Sequence, residues 1–273
     1  MSTLLTQVEF ERHAAAWARF LHRAARHPDR LQRLFAQPGA DGQPASYQAN
    51  VTFDVPTTIT QLVSTTGIAK VVASFVLLPK ADCEGVPRFR VVLYAVDGLG
   101  GRISAYFLGD AAWYSKPSRG YDNSPGDQVH FSARTATAGP VPYNLIRGWI
   151  LDWQAAALAG QLDAGLFATH YGPLEGYCFD LSDFLNPLFT AGSFDMKLLQ
   201  VNLALKSYYP AFPDSPPRLA RTLGLVVRLY AADAENDPDK NSPIKVMMLD
   251  KDGVGGGSGG GPSYDMGGTQ PPY

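Results

Sequence analysis

The sequence predicts an α+β fold, in which a mostly antiparallel sheet over about 50–110 is followed by a helical half over 143–236. Three observations lead to this class. An amphipathic arginine-rich segment opens the chain, apolar runs rich in β-branched and aromatic residues follow, and segments with helical periodicity fill the second half. Because 45% of the 273 residues are hydrophobic, the chain has ample material for a core.

The first predicted element is a helix over residues 8–36. Apolar side chains recur along it near the helical period, and six arginines lie between them on the polar side. His27 and Pro28 are expected to kink or split this helix, because proline lacks a backbone N–H donor. A linker over 36–48 is expected to follow, so that an N-terminal helix and linker at 1–45 precede the rest of the fold.

The sheet is predicted from four apolar segments with strand-forming composition. They are residues 50–55, 70–78, 88–96 and 102–108. The second of them could also be the end of a helix that begins near residue 57. A glycine-rich turn at 97–101 is expected to join the last two strands, because glycine adopts positive φ easily. The polar stretch 115–142 is predicted to be a long loop.

The second half is predicted to be mainly helical. Residues 143–167 and 194–209 have helical periodicity, and 218–235 fits both a helix and a strand. Two prolines just ahead of this last segment and its alanines favour the helix. A short strand at 244–249 is expected to close an α+β domain that spans 46–250.

The remaining residues, 251–273, form a glycine-rich tail. It contains almost nothing that a core could bury, so it is predicted to be disordered.

One pattern favours a different organisation, an internal duplication. The heptapeptide VVLYAVD at 91–97 nearly recurs as VRLYAAD at 227–233, and Lys70 and Lys197 each begin an apolar run. The separations differ, since the heptapeptides are 136 residues apart (227 − 91) and the lysines 127 (197 − 70). This alternative predicts a protein built from two related α+β halves.

Composition excludes several classes of function. A net charge of −2 does not indicate a strongly basic nucleic-acid binder. No apolar run is long enough to span a membrane and no signal peptide begins the chain, so a cytoplasmic protein is expected. Cys83 and Cys178 are predicted to be buried thiols. No histidine has ligand spacing and no nucleotide-binding motif occurs, so neither a metal nor a cofactor is expected.

Two blocks resemble the ribosome-inactivating proteins, the rRNA N-glycosylases. The first is the hairpin with its acidic, small, aromatic and glycine positions in family order, namely Asp97, Ala105, Tyr106, Gly109, Trp113 and Tyr114. The second block, 204–222, resembles the end of one core helix and the start of the active-site helix of the family. The resemblance implies a toxin-like hydrolase that inhibits translation by releasing one adenine from large-subunit rRNA.

The resemblance also implies candidate site residues. Family enzymes place a glutamate and an arginine on one helix turn and stack the adenine between two tyrosines. The corresponding candidates here are Asp233 or Glu235 as the carboxylate, Arg228 or Arg221 as the cation, Tyr177 or Tyr143 as a stacking ring, and Arg102 where the other ring is expected. Because the Glu-x-x-Arg turn is not found, impaired or lost catalysis is expected, and whether the protein is an enzyme stays open. The alternative is a non-enzymatic interaction or self-assembly protein built from two related halves.

Overall fold

The computed structural model describes residues 3–38, 44–79, 87–114, 143–169, 172–182, 196–208, 220–231 and 245–247. The helices in these ranges are α1 (Gln7–Ala24), α2 (Pro28–Phe35), α3 (Thr60–Val63) and α4 (Tyr143–Leu158), with a π-helical turn at Val55–Ile59 and a 3₁₀ helix at Ala164–Phe167. The strands are β1 (Thr3–Leu5), β2 (Ala36–Pro38), β3 (Pro44–Asp54), β4 (Lys70–Leu78), β5 (Arg88–Val96), β6 (Tyr106–Leu108), β7 (Asp110–Tyr114), β8 (Ala168–Thr169), β9 (Gly172–Pro173), β10 (Gly176–Asp180), β11 (Met196–Tyr208), β12 (Ala220–Ala231) and β13 (Lys245–Met247).

The N-terminal helix is split in two, as its proline predicts. Thr6 begins α1 with a capping box, in which its hydroxyl accepts from the Glu9 N–H and the Glu9 carboxylate accepts from the Thr6 N–H. Pro28 is the first residue of α2, a position where its missing N–H leaves no hydrogen bond unmade. Both helices contribute side chains to the main core, so they are part of the same packed body as the sheets.

Two antiparallel sheets form the body of the protein. Sheet A has the strand order β1-β6-β5-β4-β10, and sheet B has the order β13-β12-β11-β3, with β7 on the far side of β3. The chain crosses from sheet A to sheet B at Gly109, where a Cβ would lie 2.4 Å from Val51 Cγ1. Glycine at 109 therefore permits the close approach of the two sheets at this edge.

Several sequence predictions are confirmed and some boundaries are wrong. The strands predicted at 50–55, 70–78, 88–96 and 244–249 are present as β3, β4, β5 and β13. The predicted linker at 36–48 instead contains β2 and the start of β3, which pair with each other. The predicted strand 102–108 is regular only from Tyr106, and the predicted helix 143–167 ends at Leu158.

Two predicted helices are wrong. Residues 194–209 and 218–235 contain the strands β11 and β12, which form the longest hairpin of the described fold. Leu223, Leu225 and Val227 alternate with period two and are buried in the core, a pattern that places them on one face of a strand but not on one face of a helix. Pairing with β11 decided between the two. The α+β class and the antiparallel sheet are confirmed, whereas the described part of residues 143–236 contains more strand than helix.

The main core lies between the two sheets. The strands supply alternate, odd-numbered side chains to it, as expected for sheets that each bury one face. A smaller cluster lies on the outer face of sheet A, where Val76, Val92 and Tyr106 pack against Phe10 of α1. The core contributions from the strands are Tyr47, Ala49, Val51, Phe53, Val71, Ala73, Phe75, Leu77, Phe89, Val91, Leu93, Ala95, Phe107, Phe179, Leu199, Val201, Leu203, Leu205, Leu223, Leu225 and Val227.

The two halves of the chain repeat one arrangement. We define half 1 as residues 3–114 and half 2 as residues 143–247. In half 1 the hairpin β4–β5 is followed by β6, and in half 2 the hairpin β11–β12 is followed by β13. On its other side, each hairpin pairs with a strand from the opposite half. That strand is the one that precedes the hairpin of its own half, so β10 of half 2 pairs with β4, and β3 of half 1 pairs with β11. The orders β6-β5-β4-β10 and β13-β12-β11-β3 thus correspond strand for strand.

Candidate functional site

The arginines predicted as the catalytic cation lie on a strand rather than on a helix. Arg228 is in β12, where its backbone pairs with Gln200 of β11 and Val246 of β13. Arg221 is in the same strand, opposite Ser207. Asp233 and Glu235 lie outside the described residues. The helix turn that would hold a carboxylate and an arginine on one face is therefore replaced, as far as residue 231, by a strand whose alternate side chains point to opposite faces.

Tyr177 connects the two sheets. It lies in β10 opposite Ala73, half-buried, and its ring meets Phe75 edge-on with centroids 6.0 Å apart. Its ring also stacks near Phe179, and its hydroxyl donates to the Leu223 carbonyl of β12. The side chain therefore joins sheet A to sheet B through a ring in the core and a hydroxyl that has a protein acceptor.

Arg102 belongs to a different corner of the molecule. Its guanidinium lies over the Tyr106 ring, 4.6 Å from the centroid, and donates to the Ser104 carbonyl. It also reaches Gln7 Oε1 of α1 at 3.5 Å. The residue thus ties the β5–β6 connection to the first turn of α1. Tyr143 is the first residue of α4, and only its backbone is described.

Arg102 and Tyr177, the two candidate substrate-binding residues whose side chains the structure describes, do not lie together. Arg102 forms a bridge with Val96 of β5, whereas Tyr177 lies in β10 at the opposite side of sheet A. Across the sheet, β10 is followed by β4, then β5, then the segment with Arg102. The backbones at Tyr177 and Arg102 are therefore separated by three strand spacings, about 14 Å, in the direction across the strands. An adenine stacked on Tyr177 would therefore lie far from Arg102.

What the fold does bring together is an interface between the two halves. Asp54 at the end of β3 pairs with Leu198 of half 2, and Asp180 at the end of β10 pairs with Lys70 of half 1. Each of these aspartates follows a buried phenylalanine, and the chain becomes helical directly after each of them. The same Phe-Asp pair therefore ends both exchanged strands.

Two tryptophans make equivalent hydrogen bonds across this interface. Trp17 of α1 donates from Nε1 to the Leu174 carbonyl of half 2 at 2.9 Å, and Trp153 of α4 donates to the Gln48 carbonyl of half 1 at 2.9 Å. Leu174 is six residues before Asp180 (180 − 174), and Gln48 is six residues before Asp54 (54 − 48). Both indoles are fully buried. The two bonds are therefore related by exchange of the halves.

Four aromatic rings surround the point where the halves meet. Phe35 and Phe167 stack with centroids 5.5 Å apart, and each lies in the sequence Leu-Phe-Ala, at 34–36 and 166–168. Trp17 packs edge-on against Phe167 at 5.4 Å, and Trp153 packs edge-on against Phe35 at 5.1 Å. This reciprocal cluster, defined as Trp17, Phe35, Trp153 and Phe167, gives the interface an apolar centre with approximate two-fold symmetry.

The resolved shifts in pKa reflect packing and capping. Burial raises the pKa of Tyr94, and the neighbouring Tyr106 adds to this shift. The pKa of Glu9 is lowered, because its carboxylate accepts a hydrogen bond from the Thr6 backbone N–H at 2.8 Å and one from the Thr6 hydroxyl. Burial also raises the pKa of Tyr106 and of Glu175, so packing or capping explains all four shifts and none of these groups is identified as a catalytic acid or base.

Within the described ranges, no group of three or more histidine, cysteine, aspartate or glutamate side chains is arranged to hold a metal ion. None of the helices there is both long and apolar enough to cross a membrane. No protein-family model matches the sequence, and neither a curated protein nor a solved structure is significantly similar to it.

Sequence reasoning missed the residues that form this interface. Trp17 and Trp153 carry no motif, and their shared role becomes visible only when each is seen to bond the segment before the other half's exchanged strand. Two signals in the sequence could have found it. One is the Phe-Asp pair at 53–54 and 179–180, which occurs a third time at 194–195, and the other is the repeated Leu-Phe-Ala.

Proposed function

We propose that this protein is a non-enzymatic interaction or self-assembly protein built from two related α+β halves. The observation that carries the proposal is the reciprocal exchange of β3 and β10 between the sheets of the two halves. Such an arrangement is that of a two-fold dimer whose subunits have been joined in one chain, because each half presents to the other the surface that it receives.

The aromatic residues buried between the two halves support the same proposal. The reciprocal cluster is almost completely buried. Its two indole N–H groups, those of Trp17 and Trp153, donate to carbonyls of the opposite half. These large residues stabilise the association of the halves rather than line a cleft. Such a self-complementary, aromatic interface favours a function in assembly.

Depurination of rRNA is the competing hypothesis. It needs a carboxylate beside the developing oxocarbenium ion and a cation beside the leaving adenine, held in fixed relative positions. The helix on which the resemblance depends is a strand between residues 220 and 231, and Tyr177 and Arg102 lie about 14 Å apart by strand spacing. These observations favour the assembly function over the glycosylase.

Two measurements on the full chain separate the hypotheses. The assembly function predicts sedimentation coefficients that rise with protein concentration in analytical ultracentrifugation, and no release of adenine from ribosomes above background. The glycosylase hypothesis predicts release of adenine that Asp233→Ala or Glu235→Ala lowers by roughly 100-fold. At about 1.36 kcal/mol per tenfold change in rate, this is a loss of about 3 kcal/mol of transition-state stabilisation. A chain that sediments as a monomer at every concentration would refute the assembly function, with or without adenine release.

Truncations must respect the core. Removing residues 1–36 would delete Trp17 and Phe35, which are buried at the interface between the halves, and so would disrupt the fold itself. Removing 253–273 takes away no residue of the described fold. Comparing the full chain with the chain that ends at residue 252 therefore tests whether the glycine-rich tail contributes to association.

A further inference from the structure

We propose that self-association occurs by exchange of halves, so that half 1 of one copy packs against half 2 of a second copy. The inference rests on the proposed function and adds the surface that is used and the partner that it fits. The partner is a second copy of this chain, and the surface is the interface that already joins the two halves within one chain.

The first reason is that neither half completes its own sheet. The central strand β4 of half 1 has β5 on one side and β10, from half 2, on the other. The central strand β11 of half 2 likewise has β12 on one side and β3, from half 1, on the other. A half without its complement would leave the backbone groups along one side of its central strand without their ladder partners, which strongly favours capture of a strand.

The second reason is that the surface hidden between the halves is apolar. Phe53 of β3 and Phe179 of β10 are buried, and the four rings of the reciprocal cluster meet there. An isolated half would expose these side chains together, as one large apolar patch. Patches of that kind drive association, so each half must find a complementary half, either in its own chain or in another.

The third reason is that the two choices make the same contacts. The register Asp180 with Lys70 and the register Asp54 with Leu198 can form within one chain or between two chains without any change in geometry. One connection, residues 115–142, joins the halves. Concentration therefore decides between closed monomer and exchanged dimer, because closure occurs within one chain, at the effective concentration that its connection sets, whereas exchange requires two chains.

The natural Cys178 provides a direct test. It lies in β10 of half 2, in register with Val72 of β4 in half 1, so a cysteine at position 72 would face it across the interface. Directly opposed residues of antiparallel strands have Cα atoms about 4.5–5.5 Å apart, which a disulfide can span. The test variant is Val72→Cys with Cys83→Ser, which leaves only the thiols at 72 and 178.

The full-length variant is unfolded, refolded at a series of concentrations and then oxidised with oxidised glutathione, which takes two electrons from the thiol pair and becomes two reduced glutathione molecules. Closed monomers give a disulfide within one chain, and exchanged dimers give disulfides between chains that run as covalent dimers on a non-reducing gel. The covalent dimer fraction is expected to rise about tenfold for each tenfold increase in refolding concentration below the effective concentration.

A matched control places both thiols in half 1. Ser74 of β4 is in register with Val92 of β5, so Ser74→Cys with Val92→Cys, in a background of Cys83→Ser and Cys178→Ser, gives a disulfide within one chain whether or not halves exchange. Covalent dimers from the cross-interface pair alone support the proposal. Covalent dimers from both pairs, or from neither at any concentration, overturn it.

A second cross-interface pair guards against a folding defect at position 72. Thr52 of β3 is in register with Gln200 of β11, so Thr52→Cys with Gln200→Cys, and both natural cysteines changed to serine, reports on the other exchanged strand. Exchange predicts the same concentration dependence for both pairs. If the unmodified chain associates in the ultracentrifuge while both pairs stay linked within one chain, exchange is refuted and the assembly function stands. If the unmodified chain does not associate, the assembly function fails and exchange fails with it.

Discussion

The hydrogen bond of Trp153 across the two halves should be measurable against a tryptophan on the same helix that lacks one. Trp153 and Trp149 both lie in α4 and both are buried. Trp153 Nε1 donates to the Gln48 carbonyl at 2.9 Å, whereas the buried Nε1 of Trp149 has no hydrogen-bond partner among the described residues. Substitution by phenylalanine removes the same atoms at both positions. It removes a hydrogen bond only at 153, and at 149 it changes the ring over which the Lys206 ammonium lies, 5.7 Å from the centroid.

The magnitudes follow from these contacts. Trp153→Phe loses about 1 kcal/mol of packing, a fraction of the 3–5 kcal/mol expected for loss of a whole buried aromatic side chain. It also leaves the buried Gln48 carbonyl without its donor, which costs about 1–3 kcal/mol more. Trp149→Phe has a similar packing loss but removes a buried donor that has no partner, so its net change should be within about 1 kcal/mol of zero.

Urea unfolding followed by far-ultraviolet circular dichroism measures both variants without depending on tryptophan fluorescence. We expect a loss of about 2–4 kcal/mol for Trp153→Phe with an unchanged m-value, and a similar loss for Trp17→Phe, whose indole makes the equivalent bond to Leu174. If Trp149→Phe destabilises as much as Trp153→Phe, or if Trp17→Phe and Trp153→Phe differ by more than about 2 kcal/mol, the account of two equivalent cross-half bonds is refuted.

Two further predictions test the backbone and the packing of sheet A. Gly148→Ala should stabilise the protein by about 0.5–1 kcal/mol, because position 148 lies in α4 and a Cβ there meets no atom within 4 Å. Gly176→Ala should destabilise it, because a Cβ there lies 2.3 Å from the Ala73 carbonyl oxygen. Thermal unfolding gives the sign of each change in stability, and equal signs would contradict these predictions. For Tyr94, burial raises the pKa in the folded state, so its contribution to stability is complete below the usual tyrosine value of 10.0 and is lost as the pH rises above it. Wild type should therefore lose stability more steeply above pH 10 than Tyr94→Phe does, and parallel urea midpoints across that range would show that Tyr94 titrates normally.

Local signals in the sequence identified much of half 1 correctly. Pro28 split the N-terminal helix, and the β-branched runs that contain Phe75 and Val91 formed paired strands. These features depend on residues close together in the chain, such as a proline without an N–H or an alternation of side chains along one strand. The candidate cations Arg221 and Arg228 lie on β12, because pairing with β11 makes residues 220–231 a strand where the predicted arrangement assumed a helix at 218–235.

The sequence by itself determined the class of the fold and hinted at its repeat. The amphipathic α1 and the hairpin β4–β5 follow from local composition, and the recurrence of VVLYAVD as VRLYAAD marks the corresponding strands β5 and β12. When Asp54 is matched with Asp180, their partners Leu198 and Lys70 correspond, and so do Val201 and Ala73. Ala73 pairs with Leu93 and Val201 pairs with Val227, so strand pairing matches Leu93 with Val227, two residues away from the heptapeptide match of Val91 with Val227. An even offset keeps every side chain on its own face, which is why the repeat could be seen despite the shift.

Only the tertiary structure decided the secondary structure of residues 220–231 and the partners of β3 and β10. The apolar residues of that segment satisfy a helical and a strand period equally well, so the free energy of pairing with β11 made the choice. The exchange of β3 and β10 joins residues more than 100 positions apart, such as Asp54 with Leu198 and Lys70 with Asp180. Contacts at that separation leave no periodicity along the chain, because they arise from the complementary surfaces of two folded halves.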